Sequence, residues 1–418
     1  MDTLSYHEGE LHIEDVAARA IAERFGTPTY VYSASAIEGA FKAFDAAFDG
    51  HDHLICYAVK ANSNLGVLSL LVRLGAGFDI VSGGELERVL RAGGDPGRVV
   101  FSGVGKQVWE IRAALEAGIA CFNVESASEL RLVNRIAGEM GRIAPVSIRV
   151  NPDVDPQTHP YVATGLSENK FGVSAHEALT MYRQLGELPH VCAAGIDCHI
   201  GSQITELSPF VTAAERILDM VDTLVDEGID LAHIDLGGGL GVRYRDEAPM
   251  SVESYAKAIL KIMGDRRHRL LFEPGRFITA NAGILLSEVL TLKENEGKHF
   301  AVIDAAMNDL IRPALYHAWQ KVSPVMMRNV EPTTWEIVGP VCETGDFVAR
   351  ERSLAIEEGD LIAIESAGAY GFVMSSNYNT RGRAAEIMVS GHEMQCVRER
   401  ETIEDQLQLE RTFCSPSS

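Results

Sequence analysis

Eight apolar or β-branched runs, each followed by a helical pattern, constrain this chain more than any other feature. The runs span 54–59, 77–81, 99–102, 119–124, 146–150, 194–199, 233–236 and 270–273. Runs that are apolar throughout suit strands buried on both faces, as in a parallel sheet. LGVLSLLVRLGAG, GGELERVLRAGG, KQVWEIRAALEAG and ASELRLVNRIAGEMG fill the first four gaps, and glycine closes each helix pattern. The later gaps are longer and hold further helices, such as PFVTAAERILDMVDTLVDEG. This rhythm predicts an α/β fold built on a (β/α)8 barrel. An open doubly wound sheet shares the local pattern. The strand count and the lack of an early G-x-G-x-x-G favour the barrel.

Both flanks of the repeat read differently. TPTYVYS, ending at Ser33, reads as a strand, and a helix is expected over about 35–48. Beyond about 280, GILLSEVLTLKE, HFAVIDAA, TTWEIVGPVC, DLIAIESAGAYG and AAEIMVSG are strand-like segments separated by turns. A mostly antiparallel β domain, sandwich-like or barrel-like, is expected there, and the TYVYS strand is expected to join it. The domains are therefore set at 33–280 for the barrel, and 1–32 with 281–418 for a discontinuous β domain. Residues 396–418 read as a loose tail.

Composition narrows the function. The formal net charge of −22 disfavours nucleic acid and anionic membrane surfaces as partners. The seven cysteines are irregularly spaced with no C-x-x-C, so neither a disulfide framework nor a metal site is indicated. No signal peptide and no long uncharged apolar run is evident, and a reduced cytoplasmic location is expected.

In a barrel, functional groups gather at the C-terminal ends of the strands. Lys60 ends the first run. On that stretch alone, a charge turned to solvent is the commoner arrangement, whereas a lysine held out of water is a Schiff-base nucleophile. The sixth run ends at CHIGSQ, with His199 and Ser202; the eighth ends at EPGR, with Glu273, Gly275 and Arg276. The seventh leads into Gly237, Gly238 and Gly239, whose amides a phosphate could approach. A lone GGG is more often a tight turn, a lone histidine a satisfied core residue, and a lone arginine or glutamate a solvated charge. Together, an amine, a phosphate cradle, a flat ring and a carboxylate describe a pyridoxal-phosphate site.

At these residues the sequence resembles the alanine-racemase-like class of pyridoxal-phosphate enzymes, and within it the diaminopimelate decarboxylase family. YAVKAN, FDIVSGGE, HPYVATGLSENKFG, CHIGSQ, DLGGGLG, EPGRFI, RPALYHAW, GPVCETGDF and GAYGFVMSSNYN occur in the family's order across nearly the whole chain. The resemblance implies that Lys60 carries the coenzyme, His199 stacks on its ring and Glu273 pairs with the ring nitrogen. Ser202, the Gly237–Gly239 amides and the backbone of the EPGR turn, with Gly275 and Arg276, would hold the phosphate. Tyr370 would reach the coenzyme and the substrate, with Asp79 and Glu85 behind Lys60. Arg276, Arg312 and Tyr316 would grip the substrate's distal carboxylate, and Glu343 its distal amino group. Cys342 and Glu343 would come from the partner in a homodimer, and Cys342 or Lys60 would return a proton to Cα. The implied reaction converts meso-2,6-diaminopimelate, at its D centre, to L-lysine and carbon dioxide. Three competitors remain: a related decarboxylase of ornithine, arginine or carboxynorspermidine, an alanine racemase, and a binding protein that has lost catalysis. RPALYHAW and CETGDF argue against the first and Glu273 against the second; the retained β domain and substrate motifs argue against the third.

Overall fold

The computed structural model describes residues 4–155 and 169–413. Most of HPYVATGLSENKFG and all of the last five residues lie outside them. The chain forms two compact units, one of Ala34–Asn281 and one of the residues up to Ser33 together with those from Ala282.

The first unit is a closed barrel of eight parallel strands. They are β1 (His53–Ala58), β2 (Gly77–Ile80), β3 (Val99–Phe101), β4 (Cys121–Val124), β5 (Ala144–Val150), β6 (Val191–Cys198), β7 (His233–Asp235) and β8 (Arg269–Phe272). The circle closes where Leu270, Leu271 and Phe272 pair with His53, Leu54 and Ile55. The eight apolar runs are these strands, displaced by a few residues at their ends. The first ends one residue early, so Lys60 stands in a 3-10 turn, Val59–Ala61.

Side-chain caps start the outer helices. Asn64, Ser82, Ser126 and Ser174 each accept a backbone N–H of the first turn. Phe44, Phe48, Tyr255 and Phe272 pack ring to ring between the barrel wall and the Ala34–Ala47 and Val252–Met263 helices. Truncating a buried ring such as Phe272 to alanine costs roughly 3–5 kcal/mol. Cys56 and Cys121 lie in a buried cluster with Leu54, Val100 and Leu271, behaving as small apolar side chains.

The second unit is a mostly antiparallel nine-stranded sheet. Thr29–Ser33 lies in its middle, antiparallel to Gly283–Asn295 and parallel to Ala385–Ser390. The sequence reading overlooked a meander of Leu4–His7, Glu10–Ile13 and Val16–Ala17. Its turns need left-handed backbone at Gly9 and at Glu14, and Leu11, Ile13 and Val16 feed the core of this unit.

The expected loose tail is corrected. Glu393–Arg398 is a strand paired with Ala385–Ser390, and Thr402 caps a short helix, Ile403–Leu407. Arg400 donates to the carbonyls of Pro28 and Phe25 and to Thr29 Oγ1. Charge in this stretch serves tethering, which composition alone does not reveal.

Candidate active site

The C-terminal ends of the barrel strands gather the charged residues. Lys60 Nζ donates to Asp79 Oδ2 at 2.5 Å, from a side chain one-third exposed onto a carboxylate that is wholly buried. The Lys60 turn is braced from several sides. Tyr57 Oη donates to Asn62 O, and Asn62 Oδ1 accepts from Asn64 N. A Cβ at Gly275 would stand 2.9 Å from Ala61 Cβ, so only glycine lets the EPGR turn press against it. Glu85 accepts the Val81 N–H, and burial raises its carboxyl to about 7.

Glu273, at the end of β8, accepts from Ser102 Oγ and Asn123 Nδ2, both at 3.4 Å. It forms no ion pair among the described residues, and burial, reinforced by Asp79, Asp235 and Asp197, raises its carboxyl well above the usual range. Asp197, Asp235 and Glu273 bring their oxygens within 4.8 Å of one another, all buried. Both Asp197 oxygens and Asp235 Oδ2 lack a hydrogen-bond partner. Arg149 stands 3.8 Å from Asp197 and 3.3 Å from Glu125. Burial raises Asp197 to about 7.

Gly238 N–H donates to His199 Nδ1 at 3.1 Å. Burial, then Arg149 and Lys60, holds this imidazole well below its ordinary range, so it is neutral. The glycine turn is folded more tightly than the sequence suggests. A Cβ would stand 2.5 Å from Cys198 O at Gly237, 2.1 Å from Glu273 O at Gly238 and 2.5 Å from Gly201 O at Gly239. The Gly237 N–H donates to Asp235 Oδ1. Two of the three amides expected to face a phosphate thus donate within the turn and to His199. Ser202 Oγ accepts from Arg276 Nη2 at 3.0 Å, and Arg276 Nη1 donates to Tyr244 Oη at 2.6 Å. Tyr244 escaped the sequence reading because nothing in VRYRD distinguishes it.

The remaining expected residues belong to the second unit. Arg312, buried, donates to Gln320 Oε1 at 3.1 Å and opens the short helix Arg312–Tyr316. Tyr370 holds a left-handed backbone with φ 56°. Cys342 and Glu343 are exposed on a turn whose base is the buried Asp346.

Comparison with known proteins decides the family. The profile described as "Pyridoxal-dependent decarboxylase, pyridoxal binding domain" matches residues 34–280. A diaminopimelate decarboxylase of Pseudomonas aeruginosa is 60% identical over 405 residues, covering 97% of this chain and 98% of the relative. The chain belongs to the diaminopimelate decarboxylase family. Two solved family members extend the likeness to structure. The Helicobacter pylori diaminopimelate decarboxylase complexed with L-lysine is 42% identical, with a TM-score of 0.91 over 94% of this chain and 98% of its own. The M. jannaschii diaminopimelate decarboxylase in co-complex with L-lysine is 38% identical, with a TM-score of 0.94 over 98% of both chains.

The family works with pyridoxal phosphate, and the residues present fit it. A lysine amine stands at a strand end. Among the described residues Glu273 meets only neutral hydrogen-bond donors, which suits a buried acid facing a protonated pyridine. His199 supplies a neutral ring beside the glycine turn. No helix among the described residues is long and apolar enough to cross a membrane.

Proposed function

We propose that this chain decarboxylates meso-2,6-diaminopimelate at its D centre, with pyridoxal phosphate in the barrel, and releases L-lysine and carbon dioxide. One observation carries the reading: the Lys60 amine is held on Asp79 among the strand ends that also bury Glu273 without a cation. The L-lysine bound in the two solved relatives supports the product.

Bound pyridoxal phosphate supplies an electron sink beside the amino acid's α-carbon. Lys60 Nζ is its covalent anchor, and Asp79 fixes where that amine points. A protonated ring nitrogen facing Glu273 would offset the burial that raises its carboxyl, and Glu273, ionised beside it, would keep that nitrogen cationic. His199 stacks as a neutral ring; an imidazolium would repel a protonated pyridine. Gly239, the amides of Gly275 and Arg276, and Ser202 would hold the phosphate, and Tyr370 would reach the coenzyme. When the bond from Cα to the carboxylate breaks, carbon dioxide leaves and a proton must return to Cα. Lys60 Nζ or Cys342 Sγ returns it.

Specificity rests on the far end of the substrate. Arg276, Arg312 and Tyr316 take the distal carboxylate and Glu343 the distal ammonium. A site that buries paired charges rejects substrates lacking them, because its own groups then go unpaired. The working form is a homodimer in which Cys342 and Glu343 complete the site of the other subunit. The test is carbon dioxide release from the meso isomer, with L-lysine identified chromatographically. Release from ornithine or arginine but not from diaminopimelate refutes the assignment.

A further inference from the structure

Cys342 and Glu343 sit on an exposed turn, where side chains ordinarily roam among rotamers. Here the turn is fixed from below and from above. Below, the buried Asp346 carboxylate accepts the N–H of Val341 at 2.9 Å and of Met307 at 2.7 Å. Above, the SSNYN loop contributes two contacts that no assigned role accounts for. Tyr378 Oη donates to Glu343 Oε2 at 2.9 Å, and Asn379 Oδ1 accepts from Cys342 N at 3.1 Å.

We infer that Tyr378, with Asn379 beside it, is a positioning residue that presets Glu343 for the distal ammonium of the substrate. The loop is built to hold that pose. Ser376 N donates to Asn308 O, and Asn308 Nδ2 donates back to Ser376 O. Arg381 Nε donates to Asn308 Oδ1 at the other end of the loop. Between these anchors Asn379 and Thr380 both hold left-handed backbone, with φ 57° and 55°. Non-glycine residues rarely take that conformation, and a pair of them persists where the surroundings over-determine it. The strained pair aims the Asn379 amide and the Tyr378 hydroxyl at the CETGDF turn.

The contact suits a carboxylate that must grip a cation. The phenol occupies Oε2, and Oε1 has no partner among the described residues. A donor on one oxygen holds the rotamer, so less side-chain freedom is lost when an ammonium arrives. The carboxylate in turn raises the Tyr378 phenol above its ordinary range, which keeps the proton on the donor.

The inference rests on the reading of Glu343 given above, and one set of variants separates the two. Steady-state kinetics on the holoenzyme compare Tyr378→Phe, Glu343→Gln, the double variant and Asn379→Gly. Tyr378→Phe is expected to raise KM for diaminopimelate about three- to tenfold, with kcat held within about twofold. Asn379→Gly keeps the left-handed backbone, loses the acceptor and raises KM in the same sense. The double variant should match Glu343→Gln alone, because the phenol acts only through that carboxylate. Partial unfolding would instead lower kcat and coenzyme content. If Glu343→Gln raises KM but Tyr378→Phe leaves it unchanged, or if the two effects add, Tyr378 is not the positioning group. An unchanged KM in Asn379→Gly removes Asn379 from the assignment. If Glu343→Gln itself leaves KM unchanged, the ammonium reading falls and takes this inference with it.

Discussion

Gly238 donates its backbone N–H to His199 Nδ1, so the turn after β7 fixes the histidine at the end of β6. The neutral ring then carries its proton on Nε2, away from the glycine turn. Gly238→Ala places a methyl 2.1 Å from Glu273 O. The turn must move, carrying His199 and the strand end with it. Coenzyme affinity should fall more than about tenfold, read by titrating the coenzyme-free protein and following its absorbance. Binding at the wild-type level would show that the turn does not set the cofactor pocket.

Lys60→Ala tests the anchor. Carbon dioxide release is expected to drop at least about a thousandfold. After borohydride treatment and dialysis the wild type should keep the coenzyme, and the variant should not. Retention by the variant would move the attachment elsewhere in the chain.

Asp197 gives a pH prediction for the coenzyme-free protein. Burial raises its carboxyl from 3.8 to about 7 against the pull of Arg149, with Glu125, Asp79 and Lys60 also facing it. Between those values the folded chain keeps a proton that the unfolded chain has lost. Its contribution to stability is therefore present at low pH, fades as pH rises through the window, and levels off above about 7. Asp197→Asn removes this slope without breaking a hydrogen bond, since both carboxylate oxygens lack one. At pH 8 the variant should be more stable on the order of 1–3 kcal/mol, and near pH 4 the two should match. Urea unfolding across this range decides it; parallel curves for the two proteins would mean that Asp197 ionises normally.

Subunit mixing tests whether sites are shared. Lys60→Ala and Cys342→Ala would each be severely impaired as pure dimers. Co-expressed, a shared site lets one of the two sites in each mixed dimer regain both residues, so about a quarter of wild-type activity should return. No recovery, alongside mixed dimers seen by mass spectrometry, would confine each site to one chain.

The barrel was legible because strands buried on both faces leave apolar runs such as 270–272. Lys60, His199 and Glu273 were legible because each interrupts such a run at its end. Asp197 and Asp235 were not, although an aspartate inside AAGIDC is itself a signal, since a buried charge demands a reason. Ser102, Asn123 and Tyr244 join the site only through tertiary contact, and their neighbours in sequence say nothing of it. The use of the Gly237 and Gly238 amides within their own turn is equally invisible in the letters GGG. The meander of Leu4–Ala17 was missed because its strands are too short to show a period.

Thr29–Ser33 pairs on one side with Gly283–Asn295 and on the other with Ala385–Ser390. During synthesis from the N-terminus this segment emerges long before either neighbour. It must wait, unpaired, while some 250 further residues emerge before the first partner and about 350 before the second. The barrel, whose strands follow one another, can close in that interval, since domains generally fold as units during translation. A circular permutant that moves residues up to Ser33 to the far end would shorten that wait.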